Sequence, residues 1–340
     1  SACTCPSSSS PPRFDVLTLL TTYPALAIAC AAVFGLLVGS FLNVVILRLP
    51  ARLEWQWLRD AREVLADAER SPAPPDSADG REDEEAVRAS LHLASPEPGV
   101  ALPAPTDEGG SQPPGIVVEG SHCLKCGHRL AAWENIPLVS FLLLGGRCRG
   151  CKARISWQYP AVEARTGLLF ALGVWRYGIS WQAGTMLVAT GFFVAMSGID
   201  ARTTLLPDVL ALPLLWFALL ASLVPVFVLP SDAVLGAAVG YLSLWSVYWG
   251  FKLLTGKEGM GFGDFKLLAA IGAFCGWKAI LPVVLMSSVI GAMVGLALIL
   301  IQGRDRATPI PFGPYLAAAG GVQMMYGGDL LGAYLRWMGG

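Results

Sequence analysis

Charge is scarce in this sequence. Only 14% of its 340 residues are Asp, Glu, Lys or Arg, where a soluble globular chain carries about 25%. A surface with so few charges does not face water all round, so a pair of ordinary soluble domains is excluded although the length would hold two. Acid is scarcest in the second half: after Glu163 only Asp200, Asp208, Asp232, Glu258, Asp264, Asp305 and Asp329 follow. No basic stripe with interleaved aromatics is present, so nucleic acid is not an expected partner. No internal repeat and no glycine-rich methyl-donor fingerprint can be read. The first residues lack the basic region that opens a cleavable signal peptide. The net charge of −1 conceals an uneven split, because Asp60–Glu108 holds 13 of the 25 acidic residues and only four arginines.

Hydrophobic residues, by contrast, make up 54% of the chain. An apolar run of about 20 residues is long enough to span a bilayer. Tyr23–Leu47, Val209–Leu229, Ala233–Leu254, Ala279–Ile301 and Phe312–Leu335 meet that length. Ala161–Gly178, Gly184–Ile199 and Phe265–Cys275 are shorter or carry a charge near one end. Together they predict an all-α polytopic membrane protein of about eight transmembrane helices, with both termini on one side. Lys and Arg cluster in Arg48–Arg62, Lys125–Arg154, at Arg202, at Lys252 and Lys257, and at Arg304 and Arg306. With eight spans all of these share one side, which the positive-inside rule makes cytoplasmic, leaving the termini outward.

The organisation follows. Residues 1–22 read as an outward tail, 23–47 as the first span, 48–158 as a cytoplasmic domain and 160–340 as a membrane core. Within the cytoplasmic part, Arg52–Arg70 reads as a short amphipathic helix. Ser71–Pro114 is rich in Pro, Ser, Gly and acid and poor in large apolar residues. Such a stretch buries too little surface to offset its ordering entropy, so disorder is expected there.

Residues 117–157 are compact and cysteine-rich. Cys123-Leu124-Lys125-Cys126 and Cys148-Arg149-Gly150-Cys151 form two CxxC pairs with 21 residues between them. Each tight turn supplies two thiolates to a tetrahedral structural zinc site, with Gly127 and Gly150 giving the turns their freedom. Two disulfides or free thiols are the alternatives; a cytoplasmic setting disfavours disulfides. His122 and His128 flank the first turn and could replace a ligand, but with four cysteines present outer-shell or solvent roles are expected. Cys30 and Cys275 are expected to pack as small hydrophobes, and Cys3 and Cys5 lie in the tail.

Two aspartates stand apart. Asp264 follows Gly259, Gly261 and Gly263 at the start of an apolar helix, where an acid is commonly a cap. Asp200 ends the third span and, taken alone, is an interfacial charge paired with Arg202. Asp208, after Pro207, can cap the next helix. However, charge at a membrane boundary is costly unless paired or functional. The topology puts Asp200 and Asp264 at the same depth, where two carboxyls can share a proton and divide acid and base roles.

Gly261-Phe262-Gly263-Asp264 resembles the GxGD signature of intramembrane aspartyl proteases. The string from Gly259 and Met260 through Asp264 to Phe265 and Lys266 is similar to that of the type IV prepilin peptidase family. So are Asp200 with Leu206-Pro207-Asp208 and Leu212-Pro213-Leu214, the first-span string Gly39-Ser40-Phe41-Leu42-Asn43-Val44-Val45, and Pro311-Phe312-Gly313-Pro314-Tyr315. The four cysteines, Trp133-Glu134-Asn135-Ile136-Pro137, Tyr159-Pro160 and Glu163 follow the same pattern. The resemblance implies a bacterial inner-membrane enzyme with Asp200 and Asp264 catalytic, and Asp208 a weak third candidate. Gly261 and Gly263 would admit close substrate approach, and Lys266, with Arg202 and Lys257, would tune the pair. It implies prepilin and pseudopilin substrates with a short basic leader, then Gly, then an apolar helix usually starting with Phe. It also implies N-methylation of the new terminus with S-adenosylmethionine. Ser71–Pro114 departs from the pattern as an insertion, and the oligomeric state is left open. A rival reading, an ion-coupled transporter, expects carboxylates near the midplane and a repeat; a non-catalytic zinc-knuckle scaffold leaves the GxGD string without a role.

Overall fold

The computed structural model of the chain describes residues 16–70, 113–116, 120, 122–123, 125–131, 134, 136–257, 259–302 and 311–337. The expectations for Cys3, Cys5 and nearly all of Ser71–Pro114 fall outside them. Among the described residues the regular structure is helical: α1 (Val16–Thr22), α2 (Pro24–Arg70), α3 (Val139–Leu143), α4 (Gln158–Tyr177), α5 (Trp181–Thr203), α6 (Asp208–Leu223), α7 (Pro230–Thr255), α8 (Phe262–Cys275), a 3-10 turn (Trp277–Ala279), α9 (Ile280–Gln302) and α10 (Gly313–Trp337). Two isolated bridges, His122 with Arg129 and Arg147 with Arg154, are the extended pairings. The chain forms two units, one of Ser1–Pro50 with Ile116–Gly340 and one of Ala51–Gly115.

The eight predicted spans coincide with α2 and α4 to α10, with three differences. Val209–Leu229 is predicted as one span, yet α6 stops at Leu223. Pro225 is the reason: the residue before a proline avoids the helical region, and Val224 is extended at φ −102°, ψ 99°. The separate amphipathic helix expected over Arg52–Arg70 is instead the last part of α2, which continues through Pro50. Within the second unit Arg59 Nε donates to Glu63 Oε1 at 2.9 Å and Arg52 donates to the Pro113 carbonyl at 3.2 Å. The described part of the predicted tail is helical, as α1.

Pro24–Val64, Trp181–Thr203, Pro230–Thr255 and Trp277–Ile301 are long and apolar enough to cross a membrane, and α6 is apolar but shorter. The chain is an all-α membrane protein. In α9, Leu281, Leu285, Val289, Met293, Leu296 and Leu300 are exposed at helical spacing, whereas Val283 and Ser287 are fully buried. An apolar stripe turned outward suits lipid and not water.

The centre is α8. Every residue from Phe265 to Phe274 except the half-buried Lys266 is buried, and the helix packs against α6, α7 and α10. It is apolar all round because it is enclosed by other helices. At its far end Gly236 of α7 meets Gly272, and a Cβ on either would strike the other's carbonyl. Two glycines thus bring the backbones together, as small residues do between membrane helices. Remote from the aspartates, the ends of α4 and α10 are tied by Arg176 to Asp329 at 2.7 Å and by Tyr177 to the Met324 carbonyl.

Candidate active site

The position of Asp200 is set by both ends of its helix. Ser180 caps α5, its hydroxyl accepting from the Ala183 N–H at 3.2 Å. The helix closes at Thr204, which is left-handed at φ 54°, so Asp200 lies on the last turn. Pro207 then holds the chain extended before α6. Asp264 is the third residue of α8, behind Gly261 in an extended conformation. Asp200 is 4% exposed and Asp264 8%, and the two carboxyl groups interact electrostatically. The structure therefore brings the two predicted aspartates together.

A third helix end completes the site. The backbone N–H of Gly313, at the start of α10, donates to Asp200 Oδ2 at 2.9 Å. A Cβ at Gly313 would lie 2.7 Å from that oxygen, so only glycine lets this backbone approach the carboxylate unhindered. A Cβ at Gly263 would lie 2.5 Å from Leu206 Cβ and 2.9 Å from its carbonyl. The Cα face of Gly263 is thus taken up by the loop that follows Asp200, whereas Gly261 faces open space. Of the two glycines expected to admit substrate, Gly261 is the one with room.

Asp264 Oδ1 is buried and has no hydrogen-bond partner among the described residues. A buried polar atom left unpaired costs about 1–3 kcal/mol, so this oxygen is open to a hydrogen-bond partner from outside the protein. The capping role weighed for Asp264 is absent, since no side-chain cap closes α8. Arg202 donates to Gln158 Oε1 at 2.7 Å, and the contact expected with Asp200 is not made. Lys266, expected to tune the pair, instead binds both oxygens of Asp208 at 2.6 Å. Asp208 lies nearer because it begins α6, alongside the first turn of α8. It caps nothing and serves as the partner of Lys266. Lys257 is exposed, its backbone N–H donating to Thr255 Oγ1.

The four cysteines converge as predicted. Their sulfurs all lie within 4.8 Å of one another, with Cys123 to Cys151 at 3.8 Å and Cys126 to Cys148 at 4.0 Å. Zn–S bonds of about 2.3 Å at tetrahedral angles require sulfurs roughly 3.8 Å apart, so the residues fit a closed zinc site. The two turns repeat one backbone pattern. Cys123 N–H donates to the His128 carbonyl and Gly127 N–H to Cys123; Cys148 N–H donates to Ala153 and Lys152 N–H to Cys148. The left-handed positions are Gly127 at φ 71° and Lys152 at φ 56°. Gly150, expected to supply that freedom, instead faces the other turn, where an added Cβ would lie 3.6 Å from Cys126 Sγ. The backbone N–H groups of Lys125 and then Cys126 hold the Cys123 thiol down at about 6, favouring the thiolate a metal needs.

Three further residues were not assigned a role from sequence. Glu134, 5% exposed, accepts from Ala131 N–H at 2.9 Å, sits 3.2 Å from His128 Nε2 and 3.7 Å from Arg149. The Ala131 N–H, with His128 and Arg149, holds its carboxyl below the usual range. It thereby joins the two cysteine turns, and His128 takes an outer-shell position. Glu163 Oε2 accepts from Leu138 N–H at 2.9 Å, and buried Asn43 donates to the Tyr159 carbonyl at 3.1 Å. These two bind the cysteine-rich segment and α4 to the first span. Each stood within a matched string, but only spatial neighbours reveal its task. Cys30 is exposed and Cys275 half-buried, both in apolar helices.

Comparison with known proteins follows this division. Residues 33–177 match the bacterial peptidase A24 N-terminal domain and residues 187–296 the type IV leader peptidase family. A prepilin leader peptidase/N-methyltransferase of Xanthomonas campestris pv. campestris is 50% identical over 323 residues, 95% of this chain and 99% of that protein. The protein of the same name from Pseudomonas aeruginosa is 44% identical over 324 residues, again 95% and 99%. That from Stutzerimonas stutzeri is 46% identical over 318 residues, 94% and 97%. No solved structure matches significantly. With full-length identity at this level and aspartates gathered where three helix ends meet, the chain belongs to the type IV leader peptidase family.

Proposed function

We propose that this protein removes the basic leader of type IV prepilins and pseudopilins and then N-methylates the new terminal residue. The observation that carries the peptidase reading is the asymmetric carboxyl pair: Asp200 bonded to the Gly313 N–H, Asp264 buried beside it with one oxygen unpartnered. A carboxylate that accepts an N–H is favoured in its ionised form, so Asp200 is the base and Asp264 carries the shared proton. Asp200 takes a proton from water as the oxygen attacks the scissile carbonyl. Asp264 hydrogen-bonds the carbonyl oxygen and gives it a proton. On collapse the C–N bond breaks and the leaving amine takes the proton held by Asp200, while the tetrahedral hydroxyl returns its proton to Asp264. The pair ends as it began.

The cysteines Cys123, Cys126, Cys148 and Cys151 would hold zinc in a closed site, giving the segment a fixed shape without a catalytic step. Methylation rests on the name that the relatives bear, and S-adenosylmethionine is its proposed donor. Among the described residues, the hollows lined by Ser288, Gly291, Ala292, Pro311, Phe312 and Tyr315 and by Ala29, Cys30, Val33, Phe34 and Leu37 present no charged side chain for such a donor.

We place the protein in the bacterial inner membrane with the aspartates and cysteines cytoplasmic. Basic loops flank both aspartates, and a cationic leader retained on that side would bring its scissile bond to their level. The carrier alternative is disfavoured because both acids stand at helix ends. Co-expression with a prepilin tests the reading. Leader loss should appear as a mobility shift and the mature terminus should carry one methyl group by mass spectrometry. An unprocessed prepilin would refute the peptidase, and a processed but unmethylated one the second activity.

A further inference from the structure

Large apolar side chains crowd the surface where the cysteine-rich segment meets the first turns of α4. Ile136, Val139, Leu142 and Leu143 recur at three- and four-residue intervals through α3 and the turn before it, and Trp157 stands just ahead of α4. All five are exposed, Leu142 and Leu143 at 74% and Trp157 at 76%. Ser140 is turned the other way and is buried, its hydroxyl donating to the Ile136 carbonyl at 2.6 Å. Phe141 packs on Trp157 with ring centroids 5.0 Å apart, so helix and tryptophan form one surface. Just beyond α3, Arg147 and Arg154 are paired across an isolated antiparallel bridge. Like charges placed directly opposite one another are destabilising. Both arginines are exposed, and among the described residues neither has an acidic partner.

We infer that this surface anchors the cysteine-rich segment to the bilayer: the five apolar side chains enter the lipid interface, and Arg147 with Arg154 binds phospholipid phosphate beside them. The inference rests on the membrane fold and is independent of the peptidase reading. Depth identifies the occupant. The N–H of Leu138, at the start of α3, donates to Glu163 Oε2 at 2.9 Å. Glu163 is the sixth residue of α4, about 8 Å along the helix from its first. Thus α3 begins alongside the second turn of a membrane span, where an exposed side chain meets lipid. A water-soluble partner would have to displace that lipid to reach it. Composition agrees with depth, since tryptophan collects at the membrane–water boundary and short apolar faces rimmed by arginine lie in it. Charge completes the argument. Phosphate between the two guanidinium groups would replace their mutual repulsion by charge-assisted hydrogen bonds.

The test uses the full-length protein in nanodiscs, with a benzophenone amino acid in place of Leu142. Illumination should join it to phospholipid, seen by mass spectrometry as a lipid adduct on the peptide that contains residue 142. The same probe in place of Trp157 covers the first should that variant not fold. Cross-linking to a second copy of the chain instead, or no lipid adduct from either position, would overturn the anchor. The arginine pair is read by hydrogen exchange over residues 136–157. In wild type, exchange should be slower by about fivefold or more in discs containing phosphatidylglycerol than in discs of phosphatidylcholine alone, the order expected of one arginine at an anionic surface. Arg147→Gln combined with Arg154→Gln should remove that difference while the lipid adduct at position 142 persists. Wild-type exchange that ignores lipid charge, or a difference that survives the double variant, would overturn the phosphate contact.

Discussion

The two oxygens that matter most at the active site are in opposite situations: Asp200 Oδ2 is held by the Gly313 N–H at 2.9 Å, and Asp264 Oδ1 is held by nothing. That difference makes Gly313 as sensitive as a side chain. In Gly313→Ala the new Cβ would lie 2.7 Å from the carboxylate, so backbone or acid must move. Displacements near 1 Å cost about 10²-fold in rate, and a loss of that order in prepilin processing is expected with protein levels retained. Lys266→Met is the contrasting case. Its partner Asp208 is 57% exposed, and such pairs contribute about 0–1 kcal/mol. Processing should stay within a few-fold of wild type; a loss as large as that of Gly313→Ala would return Lys266 to the catalytic centre. The sequence announces Asp200 and Asp264 because carboxylates at a membrane boundary need a reason. Gly313 carries no such signal, since its contribution is a backbone N–H brought in from 113 residues away. Lys266 invited the wrong partner because adjacency to Asp264 in sequence points its side chain elsewhere on the helix.

The elements that carry chemistry beyond the aspartates are the two cysteine turns, which share one hydrogen-bond pattern and meet at Glu134. Glu134 contacts His128 beyond the first turn and Arg149 within the second. Outer-shell partners typically govern metal affinity by 10–100-fold, so Glu134→Ala should weaken zinc retention by about tenfold in competition with a chelator. Cys123→Ser combined with Cys148→Ser should abolish it; unchanged zinc content in the double variant would remove the metal site. Spacing alone predicted that the four cysteines converge, but not the staple, because a glutamate six residues from His128 has no periodic relation to it. The shortened α6 was legible in principle: Pro225 was present in the predicted span, and hydropathy masked it.

Across the whole molecule, hydropathy located eight helices because each is apolar along most of its length, facing either lipid or other helices. It marked α9 as a full-length span and α8 as a short one, but could not show that α9 turns a stripe outward while α8 is enclosed. The proposed orientation rests on the basic loops and is open to test. With Cys3 and Cys5 replaced by serine, an impermeant maleimide on intact spheroplasts should label Lys278→Cys and spare Lys257→Cys; the reverse would invert the topology and put the aspartates outside. The central claim, that Asp200 and Asp264 act as one catalytic pair, is tested most directly by purified Asp200→Asn and Asp264→Asn enzymes cleaving a prepilin in vitro. Each should lose about 10²–10⁴-fold or more in rate, with zinc content unchanged. If either variant cleaves at the wild-type rate, the pair is not the catalyst.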